Sequence, residues 1–134
     1  MIYLDADFLI HFLVNQDKEK HRFATKRFKM LIDTQTCFIS LLTLQEITFV
    51  LSKLKYSSFE ITEMIEKLEF YTKHNFSLDQ FRRAKELASK IGFQNINDCL
   101  HVAIAELYCK ELYTFNKNDF ERLKPLTSLS IQIF

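Results

Sequence analysis

The apolar residues of this chain recur at two spacings, and each spacing predicts one kind of element. Short apolar runs that end on a polar residue are typical of buried strands, and apolar residues three and four positions apart are typical of helices. The short runs predict strands at 1–5, 36–40, 74–77, 111–114 and 129–134. Helical spacing predicts helices over 6–14, 18–31, 41–54, 58–72, 77–91 and 97–109.

Residues suited to helix ends support these boundaries. Ser57 precedes Glu60 by three positions, and Ser77 precedes Gln80 by three, which is the spacing of a capping box. Gly92 comes directly after the last apolar position of the helix over 77–91, where a glycine can adopt the left-handed backbone that ends many helices.

Short strands that alternate with longer helices predict a fold of βα units around a parallel sheet. We therefore expect an α/β fold with three layers, α/β/α, and a short central parallel sheet. The 134 residues are enough for one domain, and no linker, repeat or low-complexity segment interrupts them. We expect a single domain over residues 1–134.

Composition narrows the classes of function. One Gly and one Pro in the chain argue against an all-β fold and exclude both a Walker phosphate loop and a GxGxxG dinucleotide loop. Three cysteines without a CxxC spacing form neither a disulfide framework nor a zinc site, and we expect reduced thiols in a cytoplasmic protein. The first 14 residues lack a basic segment, and no run is long enough for a membrane helix.

Four acidic residues fall where function gathers in a parallel sheet, at the carboxyl ends of strands and the starts of the helices that follow them. Asp5 ends the first strand, and Glu46 lies in the helix after the second. Asp98 opens the helix over 97–109, and Asp119 follows the strand over 111–114 by a short loop. We expect these four side chains to face one edge of the sheet.

Each acid also has a purely structural interpretation. Asp5 is a favoured helix N-cap, Asp98 would complement a helix dipole, and Asp119 alone would be a loop residue. Glu46 is harder to explain in this way, because the residues one turn away from it are Leu42, Thr43, Phe49 and Val50, with no Lys or Arg among them. Carboxylates gathered in this way are stabilised by a divalent cation, and oxygen ligands select Mg²⁺ or Mn²⁺.

Four segments, in this order, resemble the PIN-domain family and, within it, the VapC-like ribonucleases of bacterial toxin–antitoxin systems. Tyr3-Leu4-Asp5-Ala6-Asp7-Phe8-Leu9-Ile10 resembles the first strand and first acid of the family. Leu44-Gln45-Glu46-Ile47 and Asn97-Asp98-Cys99-Leu100-His101-Val102-Ala103 resemble its second- and third-acid helices. Thr114-Phe115-Asn116-Lys117-Asn118-Asp119-Phe120 matches its TxNxxDF ending, the most specific of the four motifs.

The resemblance covers essentially the whole chain and implies both a fold and an activity. It implies that Asp5, Glu46, Asp98 and Asp119 are catalytic, hold Mg²⁺ or Mn²⁺, and are supported by Thr114 and Asn116. It also implies cleavage of RNA, a homodimer and a small antitoxin as partner. For the homodimer interface we expect the helices over 42–54 and 58–72.

Two residues depart from the family pattern. Asp7 stands where Ser, Thr or Asn is usual, and it would either add a fifth carboxylate to the site or begin the helix. His101 replaces a usual apolar residue, and we expect a packed histidine, with a proton carrier or phosphate contact as the alternative. Neither departure removes one of the four acids.

Basic residues bear on the substrate. Lys18, Arg22, Lys26 and Lys29 follow one face of the helix over 18–31, and Arg82 and Arg83 form a second group. Each group alone would be a solvated helix face. Beside an acidic metal centre, the two groups would bind the phosphate backbone of RNA.

Other functions stay open at this stage. The domain could be a PIN-like binding module without catalysis, or a nuclease that acts on DNA. Asp5-Ala6-Asp7 also resembles the DxD of haloacid-dehalogenase-type phosphatases, in which the first Asp is a nucleophile. That family needs a later acidic pair flanked by glycine, and Gly92 has no such neighbours.

Overall fold

The computed structural model describes residues 1–73 and 75–134. In these residues four strands alternate with seven α-helices. The strands are β1 (Ile2–Leu4), β2 (Cys37–Phe38), β3 (Glu111–Thr114) and β4 (Ser130–Ile133). The helices are α1 (Ala6–Leu13), α2 (Lys18–Asp33), α3 (Leu41–Lys53), α4 (Ser58–Glu69), α5 (Leu78–Ile91), α6 (Ile96–Tyr108) and α7 (Lys117–Leu123). Short 3-10 turns occupy Phe93–Asn95 and Lys124–Leu126.

The four strands form one parallel sheet in the order β2-β1-β3-β4. Tyr3 of β1 lies beside Phe38 of β2 on one side and Leu112 of β3 on the other. The two central strands therefore end side by side, and the residues that follow them lie close together. The predicted parallel sheet is confirmed.

Alternating residues of the central strands feed two separate cores. Tyr3 and Leu112 pack with α5, α6 and α7 on one face of the sheet. Leu4 and Tyr113, one position further along each strand, pack with α1, α2, α3 and α4 on the other face. This alternation is the period of two that strand geometry imposes, and it produces the predicted three-layer α/β/α arrangement.

Three helices begin directly after a strand, and each has a side-chain N-cap. Asp5 Oδ1 accepts from the backbone N–H of Phe8, at 2.8 Å, at the start of α1. Ser40 caps α3, and Asn116 caps α7. Because the strands are parallel, these three capping residues lie at one edge of the sheet, the edge at which the site is expected.

Helix ends follow the sequence signals closely. Ser57 and Glu60 form both hydrogen bonds of a capping box at the start of α4. Gln80 Oε1 accepts from the backbone N–H of Ser77, at 2.6 Å, at the start of α5. Gly92 ends α5 with a φ of 112°, a conformation that side-chain-bearing residues rarely adopt.

Two expectations about elements differ from the structure. The segment predicted as a strand over 74–77 has no strand at 75–77, and residue 74 lies outside the described residues. Instead, Thr72 forms an isolated parallel bridge with Ile39. Asp119 lies in the first turn of α7 rather than in a loop, because Asn116 begins a helix there that was not predicted.

Candidate metal-dependent active site

The residues that follow β1 and β3, together with α1, the middle of α3 and the first half of α6, enclose a cleft of about 460 Å³. Its acidic lining residues are Asp5, Asp7, Glu46 and Asp98, and its amide residues are Gln45, Asn97 and Asn116. Ala6, Ile10, Phe49 and Val50 provide an apolar wall. Three of the four predicted catalytic acids thus line one cleft.

Asp5 is held rigidly at the centre of this edge. Its Oδ1 accepts from the Phe8 N–H, and its Oδ2 accepts from the Thr114 hydroxyl at 2.7 Å. The Thr114 oxygen in turn accepts from the Asn116 N–H at 2.9 Å. Asp5 is therefore both the N-cap of α1 and a lining residue of the cleft, so its capping role does not remove it from the cleft.

Burial makes the central acids difficult to ionise. Burial raises the pKa of Asp5 from 3.8 to about 7, even though the bonds from Phe8 and Thr114 favour the carboxylate. Burial, with repulsion from Asp119 and Glu46, raises the pKa of Asp98 to about 6. A cation placed among these groups would favour their ionised forms.

Glu46 is compensated by a residue distant in sequence. Its Oε2 accepts from His101 Nε2 at 2.7 Å, and His101 Nδ1 lies 2.7 Å from the Tyr3 hydroxyl. Burial opposes the charged form of His101, but the Tyr3 and Glu46 contacts outweigh it, so the pKa of His101 lies well above its ordinary value of 6.5. The expected packed histidine is confirmed, and its polar role was missed.

The Tyr3 hydroxyl links His101 to further hydrogen bonds in the protein interior. It lies 2.6 Å from Ser40 Oγ and 3.3 Å from Thr43 Oγ1, and Thr43 Oγ1 also lies 3.2 Å from the Leu4 carbonyl. Sequence offered one signal for this network: Tyr3 precedes Asp5 by two positions on a strand, and His101 follows Asp98 by three on a helix. Those spacings place Tyr3 and His101 near the acids.

Asp119 lies beside the cleft rather than on its lining, close enough to Asp98 to raise the pKa of Asp98. Asn116 Nδ2 donates to Asp119 Oδ2 at 2.9 Å, and Arg122 Nη2 donates to Asp119 Oδ1 at 3.2 Å. With its amide turned to satisfy both groups, Asn95 also donates to Asp119 Oδ1 and accepts from Arg122. Asn116 thus bonds Asp119, and Thr114 bonds Asp5.

The donor chemistry fits a hard divalent cation, but the acids are not preassembled around one point. Among the residues that the structure describes, no three His, Cys, Asp or Glu side chains are grouped closely enough to hold a metal ion. The donors that line the cleft are carboxylate oxygens, and burial has raised the pKa of two of these carboxyl groups, Asp5 and Asp98. Such oxygens suit Mg²⁺ or Mn²⁺ better than softer metals.

The basic residues expected to bind RNA fall on two surfaces. Lys18, Arg22, Lys26 and Lys29 line one shallow groove along α2. Lys20 Nζ lies 5.2 Å from the centre of the Phe115 ring, directly after β3, so the first turn of α2 reaches the edge of the sheet that carries the cleft. Lys20 is two positions from both Lys18 and Arg22 and so lies on the opposite face of α2 from the groove. The groove therefore begins level with this edge and runs away from it along the outer face of the helix.

Arg82 and Arg83 lie on α5 in ion pairs. Arg82 pairs with Asp79 on the surface. Arg83 donates to both oxygens of Glu106, each at 2.9 Å, and to the Leu126 carbonyl. Glu106 is eight positions beyond Asp98 on α6, about 12 Å along the helix axis. Arg83 is therefore engaged in a structural contact away from the cleft.

The family model of the PIN domain matches residues 2–125. This chain belongs to the PIN-domain family. A search of curated proteins finds no match.

Two solved structures share the fold. A chain of the VapBC2 structure from Rickettsia felis, bound to a DNA fragment from its promoter, has a TM-score of 0.71 at 19% identity, over 100% of this chain and 99% of that chain. A chain of VapBC-1 from nontypeable Haemophilus influenzae has a TM-score of 0.67 at 22% identity, over 99% and 98%. At these identities the likeness is one of fold.

Proposed function

We propose that this PIN domain, spanning residues 1–134, is a divalent-metal-dependent endoribonuclease that hydrolyses phosphodiester bonds of RNA. The observation that carries the proposal is the convergence of Asp5, Glu46 and Asp98 on one cleft, with Asp119 beside Asp98. Family membership independently favours a nuclease. The raised pKa values of Asp5 and Asp98 fit groups whose ionised forms a bound cation would stabilise.

In this proposal Asp5, Glu46, Asp98 and Asp119 hold Mg²⁺ or Mn²⁺. When bound, the ion supplies activation of water and neutralisation of charge that develops on the phosphate. Thr114 fixes the rotamer of Asp5 through its hydroxyl. Asn116 and Arg122 hold Asp119 from two directions, and Asp7 adds negative charge at the start of α1. These residues orient the acids before substrate arrives.

RNA would approach along the basic groove of α2. That groove is lined by Lys18, Arg22, Lys26 and Lys29. The Lys20–Phe115 contact places the first turn of α2 at the edge of the sheet that carries the cleft. Lysine and arginine contacts to phosphates position a nucleic acid without reading its sequence. Arg82 is exposed enough to contribute, whereas Arg83 is occupied by Glu106.

We further propose that the chain is the toxin of a type II toxin–antitoxin pair, with a small antitoxin protein as partner, and that it acts in the cytoplasm as a homodimer. Its structural relatives are VapBC complexes, one of them bound to promoter DNA. In the part of the chain that the structure describes, no helix is long and apolar enough to span a membrane.

A cleavage assay on labelled single-stranded RNA tests the proposed activity. Cleavage should require Mg²⁺ or Mn²⁺, stop with EDTA, and be lost in Asp5→Asn and Asp98→Asn. Asp33→Asn is the matched control, because Asp33 is an exposed acid at the far end of α2. Cleavage that survives EDTA or Asp5→Asn would refute the metal nuclease.

The same assay separates the alternatives that the sequence left open. Binding of RNA without cleavage by any variant would favour the non-catalytic module. Cleavage of single-stranded DNA at an equal or greater rate would move the substrate class from RNA to DNA. Release of phosphate from a phosphate monoester, with covalent labelling of Asp5, would instead indicate the phosphatase.

A further inference from the structure

The polar contact beneath Glu46 is built from three elements. Glu46 comes from α3, His101 from α6 and Tyr3 from β1. The His101 side chain is 1% exposed, and both of its ring nitrogens lie 2.7 Å from a partner. A buried imidazole with two short contacts has one available orientation, so its Nε2 is fixed in space.

The direction of the His101–Glu46 hydrogen bond follows from chemistry. A carboxylate oxygen only accepts, so His101 Nε2 carries the proton and donates to Glu46 Oε2. The Tyr3 hydroxyl meets Nδ1 and lies 2.6 Å from Ser40 Oγ, the N-cap of α3. Either Nδ1 or the Tyr3 hydroxyl can donate in their hydrogen bond, so the contact of Nε2 with Glu46 persists in both arrangements.

One oxygen of Glu46 is left for a ligand. The Glu46 side chain is 24% exposed and lines the cleft, with Oε2 held by His101. Its Oε1 has no hydrogen-bond partner among the described residues. His101 and Asp98 are one helical turn apart on α6, so a single helix face carries an acid of the cleft and the group that holds another.

We propose that His101 is a positioning residue, anchored by Tyr3 and Ser40, that orients the Glu46 carboxylate toward a divalent cation in the cleft. The inference rests on the proposed metal-dependent function and names a residue that acts through Glu46 without itself binding the cation. Groups that hydrogen-bond a metal ligand fix its orientation, and their loss typically weakens metal binding about 10- to 100-fold.

A double-mutant cycle on Mn²⁺ binding tests this role without RNA or catalysis. The free Mn²⁺ signal in electron paramagnetic resonance is measured for the wild type, His101→Leu, Glu46→Gln and the double variant. If His101 acts through Glu46, each single change weakens binding about 10- to 100-fold. The double variant then matches Glu46→Gln within about twofold, because the second change has nothing left to disturb.

Two further variants separate positioning from packing. His101→Gln keeps a side-chain N–H for Glu46 and should recover most of the affinity that His101→Leu loses. Tyr3→Phe keeps the ring and removes the hydroxyl that holds Nδ1, so it should weaken binding less than His101→Leu. Thermal unfolding confirms that each variant is folded, and these two carry the test if His101→Leu does not fold.

The outcomes distinguish this inference from the proposed function. Independent, additive losses in the cycle, or no rescue by His101→Gln, would show that His101 only fills space and would overturn the inference. Wild-type affinity in His101→Leu, with binding lost in Asp98→Asn, would overturn it and leave the metal site standing. Absence of Mn²⁺ binding by the wild type would refute the proposed function, and the inference with it.

Discussion

At the scale of single residues, Asp5 is both the N-cap of a helix and a buried acid of the cleft. As the N-cap of α1 it is fixed by the Phe8 N–H, and as a cleft acid it is buried at 3% exposure. Burial raises its pKa to about 7, so near neutral pH the folded protein carries a carboxyl that is close to its titration point. The same residue thus supports the helix and places a destabilising charge in the site.

Asp5→Asn should stabilise the protein in the absence of metal at high pH. The folded pKa of Asp5, about 7, lies above its ordinary value of 3.8, so the folded state binds the proton more tightly and stability falls as pH rises between the two values. One pKa unit corresponds to about 1.4 kcal/mol, which limits the gain to roughly 4 kcal/mol. Denaturant unfolding with EDTA at about pH 8 and about pH 5 measures it.

The gain should shrink at the lower pH, where Asp5 is largely protonated in the folded state. Asp33→Asn, an exposed acid at the end of α2, should change the free energy of unfolding by less than about 0.5 kcal/mol at either pH. A gain from Asp5→Asn that is equal at both pH values would contradict the assignment of the raised pKa.

At the scale of elements, the ends of helices were the most predictable features. Local signals define them: the Ser57–Glu60 capping box, the Gln80 side chain at Ser77 and the positive φ of Gly92 all involve residues within four positions of each other. Pairing between elements was not predictable in this way. The clasp that joins α5, α6 and the segment before β4 links Arg83 to Glu106, 23 positions apart.

Glu106→Gln should weaken this clasp in a pH-dependent manner. Burial opposes ionisation, but hydrogen bonds from Arg83 and Thr127 outweigh it and lower the pKa of Glu106 below 4.5. The stabilisation is therefore complete above about pH 4.5 and is lost as the pH falls through the lower, folded value. We expect a loss of about 2 kcal/mol at neutral pH, measured by urea unfolding.

The exposed ion pair between Asp79 and Arg82, on α5 beside Arg83, is the control for that measurement. Asp79 and Arg82 have side chains that are 87% and 65% exposed, so Asp79→Asn should cost less than about 1 kcal/mol. A Glu106→Gln variant that loses no more than Asp79→Asn, or that loses as much at about pH 3 as at neutral pH, would show that the clasp contributes little.

At the scale of the whole molecule, the sequence predicted the layers of the fold and the acids, but not how each acid is held. The parallel sheet and the place of Asp5, Glu46 and Asp98 at its edge follow from periodicity and chain direction, whereas the strand order β2-β1-β3-β4 was not predicted. The partner of Glu46 did not follow, because His101 is 55 positions away and its spacing from Asp98 places it near the acids without indicating which acid it contacts. α7 was missed because its seven residues have little apolar periodicity.

The proposed homodimer gives a prediction about mass in solution. The proposed interface helices, 42–54 and 58–72, carry Phe49 and Phe59, which are 63% and 72% exposed. Light scattering at tens of micromolar should give about twice 16.0 kDa for the wild type and a monomer for Phe59→Glu. Leu107→Glu also replaces an exposed apolar residue by Glu, but on α6, outside the proposed interface, and this variant should remain dimeric. A monomeric wild type would contradict the proposed interface.

The basic groove of α2 gives the last prediction, which concerns how RNA affinity depends on salt. Each phosphate contact with a single strand contributes about 0.7 to the slope of log affinity against log salt. In a cleavage-deficient Asp5→Asn background, Lys26→Ala should lower that slope by about this amount, because Lys26 lines the groove. Lys110→Ala removes the same charge at the opposite edge of the sheet, where the Lys110 N–H bonds the Met1 carbonyl, and should leave the slope unchanged. Equal slopes in the two variants would mean that net charge alone attracts RNA and that α2 is not its path to the cleft.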